Sequence, residues 1–176
     1  MTSRLGKQLA EIVSALNSAG IRFALIGGLA LAAHKIIRAT QDVDVLVAIE
    51  DAHQVDLTLK HLGYENLHRG ADAGNYQRGD ERIDLLYASR AIAKRLLSDA
   101  LTRPTLFGSL PVISAEGLIG FKLQALVNNP RRTQDLEDIR ALLRANRATL
   151  NMDEVRDYFR LFERETLLED ILNELT

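Results

Sequence analysis

A glycine pair that closes one apolar run, and an Asp-x-Asp that opens the next, constrain this chain more than any other feature. Gly27-Gly28 follow the run Ile21 to Ile26, and Asp42-Val43-Asp44-Val45-Leu46-Val47 comes after a short intervening segment. The glycines let backbone N–H groups approach an anion where a helix begins, and the helix N-terminus adds partial positive charge. In the second run a period of two sends Val43, Val45 and Val47 to one face and Asp42 and Asp44 to the other. Side chains two apart on a strand lie roughly 6.5 to 7 Å from each other, so the carboxylates can converge on one cation or a pair. Without a cation they repel, and one tends to take up a proton. A bare Asp-x-Asp also reads as a solvated strand face. The glycine pair at this distance points instead to a metal-dependent phosphate site.

Periodicity and breakers give an alternation of helices and strands. Leu5 to Leu16 has helical spacing and stops at Asn17-Ser18-Ala19-Gly20; Ile21 to Ile26 is a strand, Gly28 to Ile36 a helix, Asp42 to Ile49 a strand, and Asp51 to Leu62 a helix ended by Gly63. Tyr64 to His68, Asn75 to Arg78 and Arg82 to Tyr87 read as strands, the last two joined by the turn Gly79-Asp80-Glu81. Ala91 to Ala100 reads as a helix, and Pro104 to Ile113 as one or two edge strands around Gly108-Ser109. Helices then take over: Ala115 to Val127, Thr133 to Arg144, and Asp153 to about Leu175, separated by Asn128-Asn129-Pro130 and by Asn146 to Asn151. The expected fold class is α/β (α+β), a mixed sheet with flanking helices over residues 1–113 and a helical segment over 114–176 that closes a cleft.

A chain of 176 residues, 47% apolar, can bury one core of respectable size. The net charge of −2 gives no basic excess, so global charge does not call for nucleic acid. No cysteine is present, which excludes disulfides, thiolate zinc sites and a cysteine nucleophile. No apolar stretch approaches a membrane span and the first residues do not form a signal peptide, so a cytoplasmic protein with no membrane partner is the expectation. One further carboxylate stands out. Asp84, in Arg82-Ile83-Asp84-Leu85-Leu86-Tyr87, interrupts an apolar strand where an unpaired charge is costly, so it needs a partner: a shared cation, or a basic residue such as Arg82, Arg38 or Arg78.

Gly27-Gly28-Leu29-Ala30 and Arg38-Ala39-Thr40-Gln41-Asp42-Val43-Asp44-Val45 together resemble the signature of the polymerase-beta-like nucleotidyltransferase superfamily. Within it they are similar to small bacterial proteins of the abortive-infection and toxin–antitoxin type. The matching residues are Gly27, Gly28, Ala30, Arg38, Thr40, Asp42 and Asp44. The resemblance implies catalytic, metal-holding roles for Asp42, Asp44 and Asp84 with Mg2+ or Mn2+ as cofactor. It also implies nucleotide contacts from Gly27, Gly28, Arg38 and Thr40. Ser114 to Ala125 resembles the helix that carries a lysine near the triphosphate, which makes Lys122 a nucleotide-binding candidate; on residue type alone it is a snorkelling surface lysine. Arg132-Thr133-Gln134-Asp135-Leu136-Glu137-Asp138-Ile139 resembles a pattern with lysine in place of Gln134. Asp135 and Asp138 share a helix face and either support Lys122 or Arg132 by ion pairing or form a solvated charged face.

What the resemblance implies is transfer of a nucleoside monophosphate from an NTP substrate to an acceptor that stays open: an RNA end, a protein hydroxyl or a small molecule such as an aminoglycoside. A cognate antitoxin or a homo-oligomer is the expected protein partner. Two alternatives stand beside it: a nucleotide-binding module without catalysis, and a scaffold that docks a partner through Val155, Tyr158, Phe159, Phe162, Leu167, Leu168, Ile171, Leu172 and Leu175. The four histidines, His34, His53, His61 and His68, show no metal-ligand spacing.

Overall fold

The computed structural model describes residues 3–175. The chain divides into two units. The first holds the described residues up to Ala33 together with Arg38–Ile113; the second holds His34–Ile37 together with the described residues from Ser114 onward.

The first unit is built on a seven-stranded mixed sheet. Its strands are β1 (Phe23–Leu25), β2 (Asp42–Ala48), β3 (Glu65–Arg69), β4 (Ala73–Arg78), β5 (Glu81–Ala88), β6 (Leu101–Thr105) and β7 (Gly108–Val112), in the order β3-β4-β5-β2-β1-β7-β6. β2 pairs parallel with β5 and antiparallel with β1, and β1 pairs parallel with β7. The helices are α1 (Arg4–Ser18), α2 (Gly27–Ala33), α3 (Ala52–His61), entered through a 3-10 turn at Ile49–Asp51, and α4 (Ala91–Ser98). α1 begins where the Ser3 hydroxyl accepts from the Gly6 N–H, and it buries Leu9, Ile12 and Leu16, the spacing that marks it in the sequence.

Alternation fixes the two faces of the central strands. Val43, Val45 and Val47 of β2 and Ile83 and Leu85 of β5 are buried, while Asp42, Asp44 and Asp84 are half-buried on the other side. Tyr76 of β4 pairs in register with Ile83, so it shares the valine face, and there its hydroxyl donates to Asp56 of α3 at 3.0 Å. α3 therefore covers the face away from the aspartates, and α1 packs beside it. β6 holds Pro104, tolerated because β6 is an edge strand whose outer side needs no N–H donor.

The second unit is helical: α5 (Ala115–Asn128), α6 (Thr133–Asn146), α7 (Met152–Leu161) and α8 (Glu165–Glu174). Ser114 caps α5 through the Gly117 N–H, and Asn151 caps α7 through the N–H groups of Asp153 and Glu154. The continuous helix expected from Asp153 to about Leu175 is instead α7 and α8. Phe162-Glu163-Arg164 contains neither glycine nor proline, yet Glu163 adopts φ 54°. The Arg164 N–H donates to the Phe159 carbonyl at 2.8 Å and the Glu163 N–H to the Arg160 carbonyl at 3.1 Å. This is a Schellman termination with glutamate at the left-handed position. The break lets both α5 and α8 pack on α7, and Val155, Tyr158, Phe159, Leu168 and Ile171 are buried. These side chains of the expected docking stripe are core rather than surface. Among the described residues no helix is long and apolar enough to cross a membrane.

Candidate active site

The site begins with a register. On the parallel pair β2–β5, Asp44 stands opposite Asp84 and Asp42 opposite Arg82. Partners in register project from the same face, so the three carboxylates share one side of two adjacent central strands. Among the described residues no group of three or more Asp, Glu or His side chains is already drawn together as a metal cage. The donor set itself, three half-buried carboxylates on one face, suits a hard divalent cation in chemistry and charge.

The glycine pair gains a second explanation. The Ile26 N–H donates to the Asp44 carbonyl at 3.1 Å, which pins the β1–α2 turn over this point of β2. Gly27 follows with φ +60°, and a Cβ there would lie 2.1 Å from Asp44 Oδ2. A Cβ on Gly28 would lie 2.7 Å from the Thr40 side chain. Both glycines thus make room for side chains of the motif: Gly27 for the Asp44 carboxylate, Gly28 for Thr40. At position 27 only glycine combines the left-handed turn with this approach. Arg38 is exposed, and its Nη1 donates to the Ala39 carbonyl at 3.2 Å.

Asp84 is not held by Arg78 or Arg82. Asn75, its register partner on β4, donates from Nδ2 to Asp84 Oδ1 at 2.7 Å. Arg78 is engaged by Glu11 at 2.6 Å, Glu81 at 2.7 Å and the Leu62 carbonyl at 2.6 Å, and it stacks on the Tyr64 ring. Arg82 donates to the Gln77 side-chain oxygen. Asn75 and Gln77 were not singled out from the sequence. Their alternation on β4 was readable, but the register that sets them against Asp84 and Arg82 was not.

Lys122, on α5, is buried rather than snorkelling. Its Nζ lies 3.1 Å from Asp135 Oδ1 and 2.5 Å from Asp138 Oδ2, both on α6. Two of the three ammonium donors are thereby committed to carboxylates. Arg132 Nε also donates to Asp135, and Gln134, standing where the related pattern has lysine, donates to Asp138 at 3.1 Å. Asp135 and Asp138 are buried, so the solvated-face alternative does not hold. Burial pushes the Asp135 carboxyl up. The Arg132 hydrogen bond and the Lys122 charge outweigh it and hold Asp135 below the usual carboxylate range.

The seven-stranded mixed sheet with its helices is a nucleotidyltransferase-like α/β fold. A sequence profile of the aminoglycoside-2''-adenylyltransferase family matches residues 8–93, just under half of the chain, a span that includes both glycines and all three aspartates. Among solved structures, the antibiotic-resistance factor ANT(2'')-Ia is similar with a TM-score of 0.72 at 17% identity, over 99% of this chain and 100% of that one. A lincosamide antibiotic adenylyltransferase with lincomycin bound gives 0.55 at 16% identity, over 77% of this chain and 94% of that one. A putative nucleotidyltransferase from Thermotoga maritima gives 0.52 at 15% identity, over 78% and 91%. The matching family and these neighbours are nucleotidyltransferases. No curated protein matches the chain.

Proposed function

We propose that this protein is a metal-dependent nucleotidyltransferase that moves a nucleoside monophosphate, in the first instance AMP, from an NTP to a hydroxyl of a small polar acceptor. The observation that carries the reading is the in-register placement of Asp44 and Asp84, with Asp42 on the same face. The small-molecule acceptor and the adenylyl donor are favoured by the family profile and by the antibiotic adenylyltransferases among the structural neighbours. An RNA or protein acceptor, a toxin role and a cognate antitoxin rest on the motif resemblance alone.

In this reading Asp42, Asp44 and Asp84 hold Mg2+ or Mn2+. When bound, the ion neutralises charge on the triphosphate and on the departing pyrophosphate. Asp84 takes the proton of the acceptor hydroxyl as its oxygen bonds to the α-phosphorus, and the bond from that phosphorus to the bridging oxygen breaks to release pyrophosphate. Gly27 keeps the Asp44 carboxylate tight against the turn, and Gly28 does the same for Thr40. Arg38 supplies positive charge to the phosphates.

The test is transfer of label from each α-phosphate-labelled NTP to aminoglycosides, to lincosamides, and to total RNA and protein, with Mg2+ or Mn2+. Metal-dependent labelling of a small acceptor is expected. Saturating metal and nucleotide should also raise the melting temperature, since a ligand at a hundred times its Kd stabilises the native state by about 2.7 kcal/mol. Stabilisation without transfer would mark a binding module, and neither effect would remove the nucleotide site altogether.

A further inference from the structure

Two amides alternate on β4 beside two charged residues of opposite sign on β5. Asn75 is in register with Asp84 and donates to its Oδ1 at 2.7 Å; Gln77 is in register with Arg82 and accepts from its guanidinium. Gln77 is itself fixed, because its Nε2 donates to the Gly79 carbonyl at 2.6 Å. Positions two apart on a strand share a face, so Asn75 and Gln77 border the same face as Asp42, Asp44 and Asp84.

The chemistry of the amide is what matters here. A lysine or arginine at position 75 would also hold Asp84, but it would cancel the negative charge that a cation site needs. An amide N–H fixes the carboxylate's direction and leaves the charge in place. Arg82 poses the complementary problem, since it stands in register with Asp42 and two residues from Asp84. Released, it would pair with either aspartate. The Gln77 carbonyl turns it aside, and Arg78, the other cation of this hairpin, is engaged by Glu11 and Glu81.

We propose that Asn75 and Gln77 are positioning residues: Asn75 orients the Asp84 carboxylate, and Gln77 keeps Arg82 from neutralising the aspartates, so that the face stays anionic for a divalent cation. The proposal rests on the nucleotidyl-transfer reading of this face.

Mn2+ binding to the full chain, followed by the loss of free-ion electron paramagnetic resonance signal, tests it beside turnover. Asn75→Leu keeps the volume and removes the donor. Its Mn2+ Kd should rise, and its kcat fall, by about 10-fold or more, as loss of a ligand's supporting hydrogen bond does elsewhere, with acceptor KM unchanged. Asn75→Gln, with the donor on a longer arm, should recover part of both. Gln77→Leu should weaken Mn2+ binding as well, and adding Arg82→Ala should restore it. If Asn75→Leu does not fold, Asn75→Ala carries the same comparison. Unchanged Mn2+ affinity in a folded Asn75 variant, or no recovery in Gln77→Leu with Arg82→Ala, overturns the proposal. Wild-type protein that binds Mn2+ but labels no acceptor overturns the transfer reading, and the Mn2+ comparison then still decides the role of the amides.

Discussion

Replacing Lys122 by methionine separates a lysine that holds its own unit together from one that mainly contacts ligand. The Lys122, Asp135 and Asp138 side chains are 8%, 7% and 3% exposed, so water does little to screen them. Removing one partner of a buried ion pair costs about 3–5 kcal/mol, because the remaining charge is buried without compensation. Here Arg132 still donates to Asp135 and Gln134 to Asp138, which places the loss near about 3 kcal/mol. In a protein of this size that is a fall in Tm of about 6–12 °C. Acid supplies an internal control. The folded Asp135 carboxyl lies below its ordinary range, so its contribution is complete above the unfolded carboxylate pKa and is lost as pH falls through the lower folded value. Methionine removes part of the pull that lowers it. The gap in Tm between wild type and variant should be widest near neutral pH and shrink as pH falls below the ordinary carboxylate pKa of about 4 toward the lower folded value of the wild type. Circular dichroism melts across that range measure it. A variant that melts like wild type at neutral pH, or a gap indifferent to acid, refutes the structural assignment of Lys122.

Gly27→Ala should lower stability by about 1–2 kcal/mol through the left-handed backbone alone. Because the new Cβ would sit 2.1 Å from Asp44 Oδ2, it should also displace that carboxylate and abolish Mn2+ binding, read by resonance and by melting. Asp44→Asn should cut metal-dependent transfer by at least about a hundredfold while the chain still folds. If it unfolds the protein, Asp44 is a structural ion-pair partner instead. Glu163→Gly should stabilise the second unit by about 0.5–1 kcal/mol, since glycine adopts φ 54° without strain, and denaturant titration reads the change.

The sequence by itself determined the local geometry of the motif. A period of two separates Asp42 and Asp44 from Val43, Val45 and Val47 whatever the strand pairs with, and Gly27-Gly28 announces a turn that other residues resist. Helices α5 and α6 were legible for the same reason: hydrophobic periodicity and chain breakers act within a few residues. Three things waited for the tertiary structure. Which strands lie side by side is a long-range pairing, and only the β2–β5 register shows that Asp84 faces Asp44 and that Asn75, not an arginine, holds it. Whether a lysine reaches water or a buried carboxylate depends on which helix packs over it, which is how Lys122 came to lie between Asp135 and Asp138. The break at Glu163 has no glycine or proline to signal it, because packing α8 back against α7 outweighs the modest strain of one left-handed residue.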